Sequence, residues 1–250
     1  MSTLIRNWCR AVVMVVAPAL LLAALLYHPF LSGFGPNPEI VAQAVEADPT
    51  RWATVHLLTV WAFALFVLAF HGLRGRLRDA GEGRWSSWAF PLVIVGLVLI
   101  AALPAIELTV AAAVRTGADT VALLETLQPW FLSLLVSGSA LFLVGSLAFA
   151  MGIARAGITG RSTTTVVVVA VVVMALAMAA PPFPAFYVMG IAAIVAFWPL
   201  AWATVRTGPK AVDGRGAEAG DTPAAPRPRA AEERGGVLRG FGRRGSRAHH

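Results

Sequence analysis

The chain has 250 residues, 58% of them apolar by the AVILMFWYC count and 13% charged, whereas soluble domains run at about 45–50% apolar with glycine included and about 25% charged. An ordinary water-soluble globule is excluded. The formal net charge of +7 is unevenly spread: from Arg206 onward ten basic residues face five acidic ones, and the body before it is nearly neutral. Basic residues do not cluster with aromatics on any one segment, as nucleic-acid readers require, so the basic excess points to a membrane and no nucleic-acid partner is expected.

Six apolar runs, at residues 11–31, 52–73, 88–114, 129–153, 163–180 and 185–205, are separated by short polar links. A bilayer core of about 30 Å needs roughly 20 mostly apolar residues per helix, and each run comes close to that length. The expected fold is therefore all-α: an integral membrane bundle of six transmembrane helices over residues 1–207, followed by a disordered basic tail over 208–250. The fifth run, VVVVAVVVMALAMAA, is β-branched enough to suggest a strand in water. In lipid each segment must satisfy its own backbone, and helix wins.

Arg6 and Arg10 precede the first run as in a secretory signal, but no small-x-small cleavage site follows and further spans do, which predicts a retained signal-anchor. Cys9 lies before the apolar run, unlike the cysteine of a lipidation box, and a single cysteine allows no intramolecular disulfide. Pro18 and Pro104 fall inside spans, where proline favours kinks. The link after the first span, with its Pro-Glu start and Ile40, Val41 and Val45 on one side, predicts a short amphipathic helix capped near Asn37. The link RTGADTVALLETLQP predicts a second, with Val121, Leu124 and Leu127 on one side. In the fourth run Gly138, Gly145 and Gly152 recur every seven residues, a smooth stripe that should meet another helix closely. Ser133, Ser137 and Ser146 in the same run fit either close packing or a hydroxyl-lined path. Two short tight segments remain: PPFP, which turns the chain into the last span, and the Gly-, Ala-, Pro- and Arg-rich tail, which cannot bury a core. The tail's GGVLRGFGRRGSR could hold to anionic lipid at about 1 kcal/mol per basic residue near the surface.

Lys and Arg are retained on cytoplasmic loops. With the N-terminus inside, the inner segments before the tail hold Arg6, Arg10, Arg74, Arg76, Arg78, Arg84, Arg155 and Arg161, and the outer ones hold Arg51 and Arg115. Both termini are thus expected in the cytoplasm, with the chain crossing the plasma membrane. Trp8, Trp85, Trp88, Trp198 and Trp202 mark the inner boundary, Trp52 and Trp130 the outer one, and Trp61 the middle. Nineteen arginines to one lysine, with abundant Ala and Val, resembles the composition of small multi-pass proteins of high-GC bacteria. That likeness transfers no site.

Few residues could carry chemistry. Glu107 is the one acidic residue well inside an apolar span, and such a group is a functional candidate by default. Measured from the span centres at about 1.5 Å per residue, Glu107, His56 and His28 lie at one depth toward the outer side, on three consecutive helices. They could form a proton-relay pair, a divalent-metal site completed by His28, or a clamp on a substrate head group. The bland alternative ties Glu107 to His56, Arg51 or Arg115 and has it fix helix register. His71 reads as an interfacial residue. No lysine stands in a span for a retinal Schiff base, no cysteine pair for thiol chemistry, no aspartate in any span for a diphosphate site, and no Gly-rich phosphate turn appears. These residues imply a membrane protein that binds or passes a small or lipid-like molecule, or serves as a subunit of a larger assembly or homo-oligomer. An enzyme acting on an amphiphile with Glu107 as acid or base is the alternative. A single-haem or metal protein through His28 and His56 is a third. No cofactor is otherwise implied.

Overall fold

The computed structural model describes residues 2–31, 37–179 and 184–206. They form seven helices and, among the described residues, no strand: α1 Thr3–Tyr27, α2 Pro38–Ala47, α3 Pro49–Asp79, α4 Arg84–Thr116, α5 Thr120–Ala156, α6 Arg161–Ala179 and α7 Pro184–Arg206. All except α2 are long and apolar enough to cross a membrane. The six expected spans are present, several of them longer than their apolar cores. The expected tail over 208–250, and residues 181–183 of the PPFP segment, lie outside the described residues.

The short helix after the first span forms as its sequence indicates. Asn37 accepts a hydrogen bond from the Ile40 N–H at 3.0 Å, and Pro38 opens the first turn, where its missing N–H costs nothing. The second outer link differs from expectation. Thr120 to Pro129 is not a separate amphipathic helix but the first turns of α5, capped by Asp119 accepting from Ala122 N–H at 3.0 Å. The true link is the three residues after Thr116, where Gly117 adopts φ 71° and ends α4.

Side-chain contacts fix the directions of the helices. Arg10 meets Asp79 while Arg51 reaches Tyr27, so α1 and α3 run antiparallel. Trp198 Nε1 donates to the Val15 carbonyl at 3.3 Å while Gly190 faces Leu22, so α7 and α1 do too. Successive spans pack side by side and α7 returns to α1, closing a ring in the order α1, α3, α4, α5, α6, α7. The two ends of the described bundle, Ser2 and Arg206, therefore lie on one face, and α2 lies at the other.

The middle of the ring is filled. Phe70 of α3 lies 6.0 Å from Phe142, 5.1 Å from Phe149 and 5.2 Å from Phe197, ring centre to ring centre, and Phe66 lies 5.5 Å from Phe197. Such tilted and edge-on pairs add about 0.5–1.5 kcal/mol each beyond area burial. They matter here because lipid tails are as apolar as the core, so packing has to hold the helices together. The outward faces are apolar as well: Val136 is 67% exposed, Trp61 59% and Val98 58%. A surface of that kind suits acyl chains and not water.

The tightest contact in the ring is between α4 and α5. A Cβ on Gly96 would stand 2.7 Å from the Phe142 backbone nitrogen, one on Gly138 3.2 Å from the Ile100 nitrogen, and one on Gly145 2.8 Å from the Val93 nitrogen. The seven-residue glycine stripe thus meets a partner helix as expected. Its third member, Gly152, leaves room for the Glu82 carboxylate, which accepts from the Trp85 N–H at 2.7 Å and caps α4. The serines line no common path: Ser133 and Ser137 are exposed and bond to carbonyls of their own helix, whereas Ser146 is fully buried at the interface.

Gly96→Val and Gly145→Val should each destabilise the protein by about 1–3 kcal/mol, the range for overpacked interiors, read as a lowered unfolding midpoint in detergent. Gly160→Ala, where an added Cβ meets nothing within 4 Å, should leave the midpoint in place. Equal midpoints for all three would mean that the α4–α5 seam is not as close as described.

Candidate functional site

The α2 end of the bundle carries its own small core, separate from the phenylalanine centre. Val41 and Val45 of α2, Trp52 of α3, and Val110 and Ala111 of α4 are buried together there. The polar side chains of this end fall into two sets around that core.

The first set is structural. Arg51 Nε donates to the Tyr27 carbonyl at 2.8 Å, and its guanidinium lies 5.1 Å from the centre of the Tyr27 ring. It thereby satisfies a carbonyl that the end of α1 leaves without an intrahelical donor. Arg115 Nη2 donates to Thr50 Oγ1 at 3.2 Å, joining α4 to α3. The two arginines are helix clamps. Among the described residues the ion pairs are those of Asp79 with Arg10 at 2.6 Å and Arg6 at 3.9 Å, at the opposite end. Glu107 is therefore not tied to His56, Arg51 or Arg115, and the register-fixing ion pair expected for it does not form.

The second set centres on Trp52, which is 2% exposed. Its ring lies 4.6 Å from His56 and 5.1 Å from His28, and the two imidazoles lie 5.2 Å apart, edge to face. Trp52 and His56 are one turn apart on α3 and so share a face. His56 Nδ1–H donates to the Trp52 carbonyl at 2.7 Å, and His28 Nδ1–H to the Pro29 carbonyl at 2.6 Å. These bonds fix both rings against the indole. Two of the three candidate residues are thus brought together, and Trp52 joins them to the third: its N–H is the side-chain donor acting on the Glu107 carboxyl. No hydrogen bond forms between them, and Trp52 Nε1 and Glu107 Oε2 are buried without a partner, as are Arg74 Nε, Arg76 Nε, Trp85 Nε1 and Ser146 Oγ elsewhere in the described residues.

Glu107 faces a partly open cavity of about 40 Å³, lined by Pro38 and Val41 of α2, Ile106 of α4, and Leu124, Gln128 and Phe131 of α5 among others. A water needs about 10–15 Å³ of such space, so the cavity has room for a few water-sized groups and admits a small polar head. Trp52 and Gln128 are absent from the residues that the sequence suggested. Trp52 looks like an ordinary boundary tryptophan until α2 is seen to cover it, although its position four residues before His56 was a legible sign. Gln128 sits in a stretch that reads as a link.

The arrangement limits the chemistry. A relay from Glu107 to the histidines would have to pass the indole, which donates but cannot accept. Among the described residues no three His, Cys, Asp or Glu side chains gather to hold a metal ion, so His28, His56 and Glu107 do not make a three-ligand centre. Nor do the residues fit a haem ligated by His28 and His56, because imidazoles in edge contact leave no room for a macrocycle between them. His71 is exposed beside Phe90 at the far end, 5.8 Å between ring centres, as expected of an interfacial residue.

Trp52→Phe keeps a ring against both histidines and should change stability by less than about 1.5 kcal/mol, whereas Trp52→Ala should cost about 3–5 kcal/mol. Unfolding midpoints of the two variants check this, and equal losses would show that the indole N–H, not the packing, holds the α2 end. The chain matches no protein-family model, no curated protein and no solved structure.

Proposed function

We propose that this is a non-enzymatic protein of the plasma membrane, with both termini cytoplasmic, that binds a small or lipid-like molecule at its outer end through Glu107. The observation that carries the reading is a carboxyl, that of Glu107, which lines a partly open cavity and whose buried Oε2 has no hydrogen-bond partner. A polar atom left unpaired in an apolar setting costs about 1–3 kcal/mol, and that cost is relieved when a ligand supplies the missing partner. Passage along the ring axis is disfavoured by the phenylalanine centre. Catalysis with His28 or His56 assisting Glu107 is disfavoured because no ion pair joins them among the described residues. The orientation rests on charge. Arg6, Arg10, Arg74, Arg76, Arg78, Arg84, Arg155, Arg161 and Arg206 belong to the helix ends opposite α2, against Arg51 and Arg115 at the α2 end, the asymmetry of a cytoplasmic face.

Two measurements test the reading. In a Cys9→Ser background, Glu46→Cys on α2 should react with an impermeant maleimide on intact cells and Ser2→Cys only after permeabilisation. The reverse pattern would invert the orientation. Native mass spectrometry of protein released from its own membranes should show a bound small molecule that Glu107→Gln loses while its abundance in the membrane is kept. If wild type and variant retain the same set of molecules, the site reading fails.

A further inference from the structure

The Glu107 pocket also specifies what kind of head it takes, given the binding reading above. Its single ionisable group is a carboxyl whose Oε2 has no partner. Neither nearby cation is available to that carboxyl: Arg51 is held by the Tyr27 carbonyl and ring, and Arg115 by Thr50. An anionic head would meet the carboxyl with no opposing charge. A divalent ion would find one carboxylate where about six oxygen ligands are wanted, and no three-ligand group exists among the described residues. What the pocket lacks is a positive hydrogen-bond donor.

We infer that the pocket binds the protonated amine of an amphiphile, with the ammonium donating to the Glu107 carboxylate and to the amide oxygen of Gln128. Charge-assisted bonds of this kind are about twice as strong as neutral ones, and an ammonium head is close to water in size, which suits a cavity of about 40 Å³. The rest of the ligand must be apolar. Glu107 lies nine residues before the end of α4, about 14 Å at 1.5 Å per residue, and the walls along α2 and α5 are Val41, Leu124, Leu127 and Phe131. A head with a phosphate next to its amine is not favoured, since neither Arg51 nor Arg115 is turned toward the cavity to receive it.

The full chain in phosphatidylcholine nanodiscs is titrated with dodecylamine, dodecanol and dodecanoate, following the unfolding midpoint. Saturable stabilisation by dodecylamine is expected at least tenfold tighter than by dodecanol, with none by dodecanoate. Glu107→Gln, which keeps the shape of the side chain, should weaken the amine at least tenfold and leave dodecanol unchanged. Equal affinity for amine and alcohol in the wild-type protein overturns the amine assignment and needs no variant to do so. If that shared affinity is still lost in Trp52→Phe or Glu107→Gln, the α2-end site itself stands with a neutral head as its ligand. Tight binding of phosphatidylethanolamine in place of dodecylamine would overturn the exclusion of phosphate heads. Absence of saturable binding by every probe, together with an unaltered set of co-purifying molecules in Glu107→Gln, would remove both the ligand class and the site.

Discussion

The structure depends on how closely the α4 and α5 backbones approach. In lipid no hydrophobic force draws helices together, so association rests on packing and small residues. Gly96, Gly138 and Gly145 let the two backbones touch where any side chain would stand under 3 Å from its nearest neighbour. The contact also sets a register. Gly138 lies against Ile100 and Gly145 against Val93, and the same antiparallel pairing carried one heptad further puts Phe131 across from Glu107. Both line the cavity. Carried the other way, it brings Gly152 to the capping carboxylate of Glu82. One seam thus positions a helix cap at one end of the bundle and the candidate site at the other.

Closure of the ring gives the phenylalanine centre its meaning. Six antiparallel helices in a cycle could enclose an axial passage, as larger rings do, but Phe70 reaches across from α3 to α5 and α7 and the space is packed. The ion pairs and arginine clamps thereby lie toward the two ends, while Ser139 and Ser146 are buried between them. At the end opposite α2, Arg10 pairs with Asp79 and Glu82 accepts from backbone N–H groups. At the α2 end the clamps Arg51 and Arg115 are satisfied while Glu107 and Trp52 are not. Buried polar atoms without a partner occur at the far end too, at Arg74 Nε, Arg76 Nε and Trp85 Nε1, and what sets the Glu107 carboxyl apart from them is the cavity that it lines.

How much of this was legible follows from the physics of each signal. The spans were readable because lipid demands long apolar helices, and the Asn37 cap and the glycine stripe because each is a local requirement of backbone geometry. The start of α5 was not. Glu125, Gln128 and Pro129 resemble a link, yet α5 runs unbroken through all three, because a membrane helix tolerates proline where its surroundings re-satisfy the freed backbone. Depth arithmetic put His28, His56 and Glu107 at one level but carries no angular information. It could not separate direct contact from the observed chain of contacts through Trp52.

That chain of contacts explains why a tryptophan stands at position 52 and why two histidines flank it. An indole on its own could swing its N–H away from Glu107. His56, bonded to the Trp52 carbonyl and stacked at 4.6 Å, and His28 at 5.1 Å close two sides of the ring, while Val41 and Val45 of α2 close another. These contacts hold the indole in place beside α4. On this view the histidines hold the indole, and the sequence's three ionisable residues at one depth divide into one proposed binding group and two supports. The same division accounts for α2. A helix too short to span the membrane has its buried residues Val41 and Val45 in the core that fixes Trp52, and Val41 is also a wall of the cavity, so the element that holds the site in place also borders the route by which a ligand would reach it.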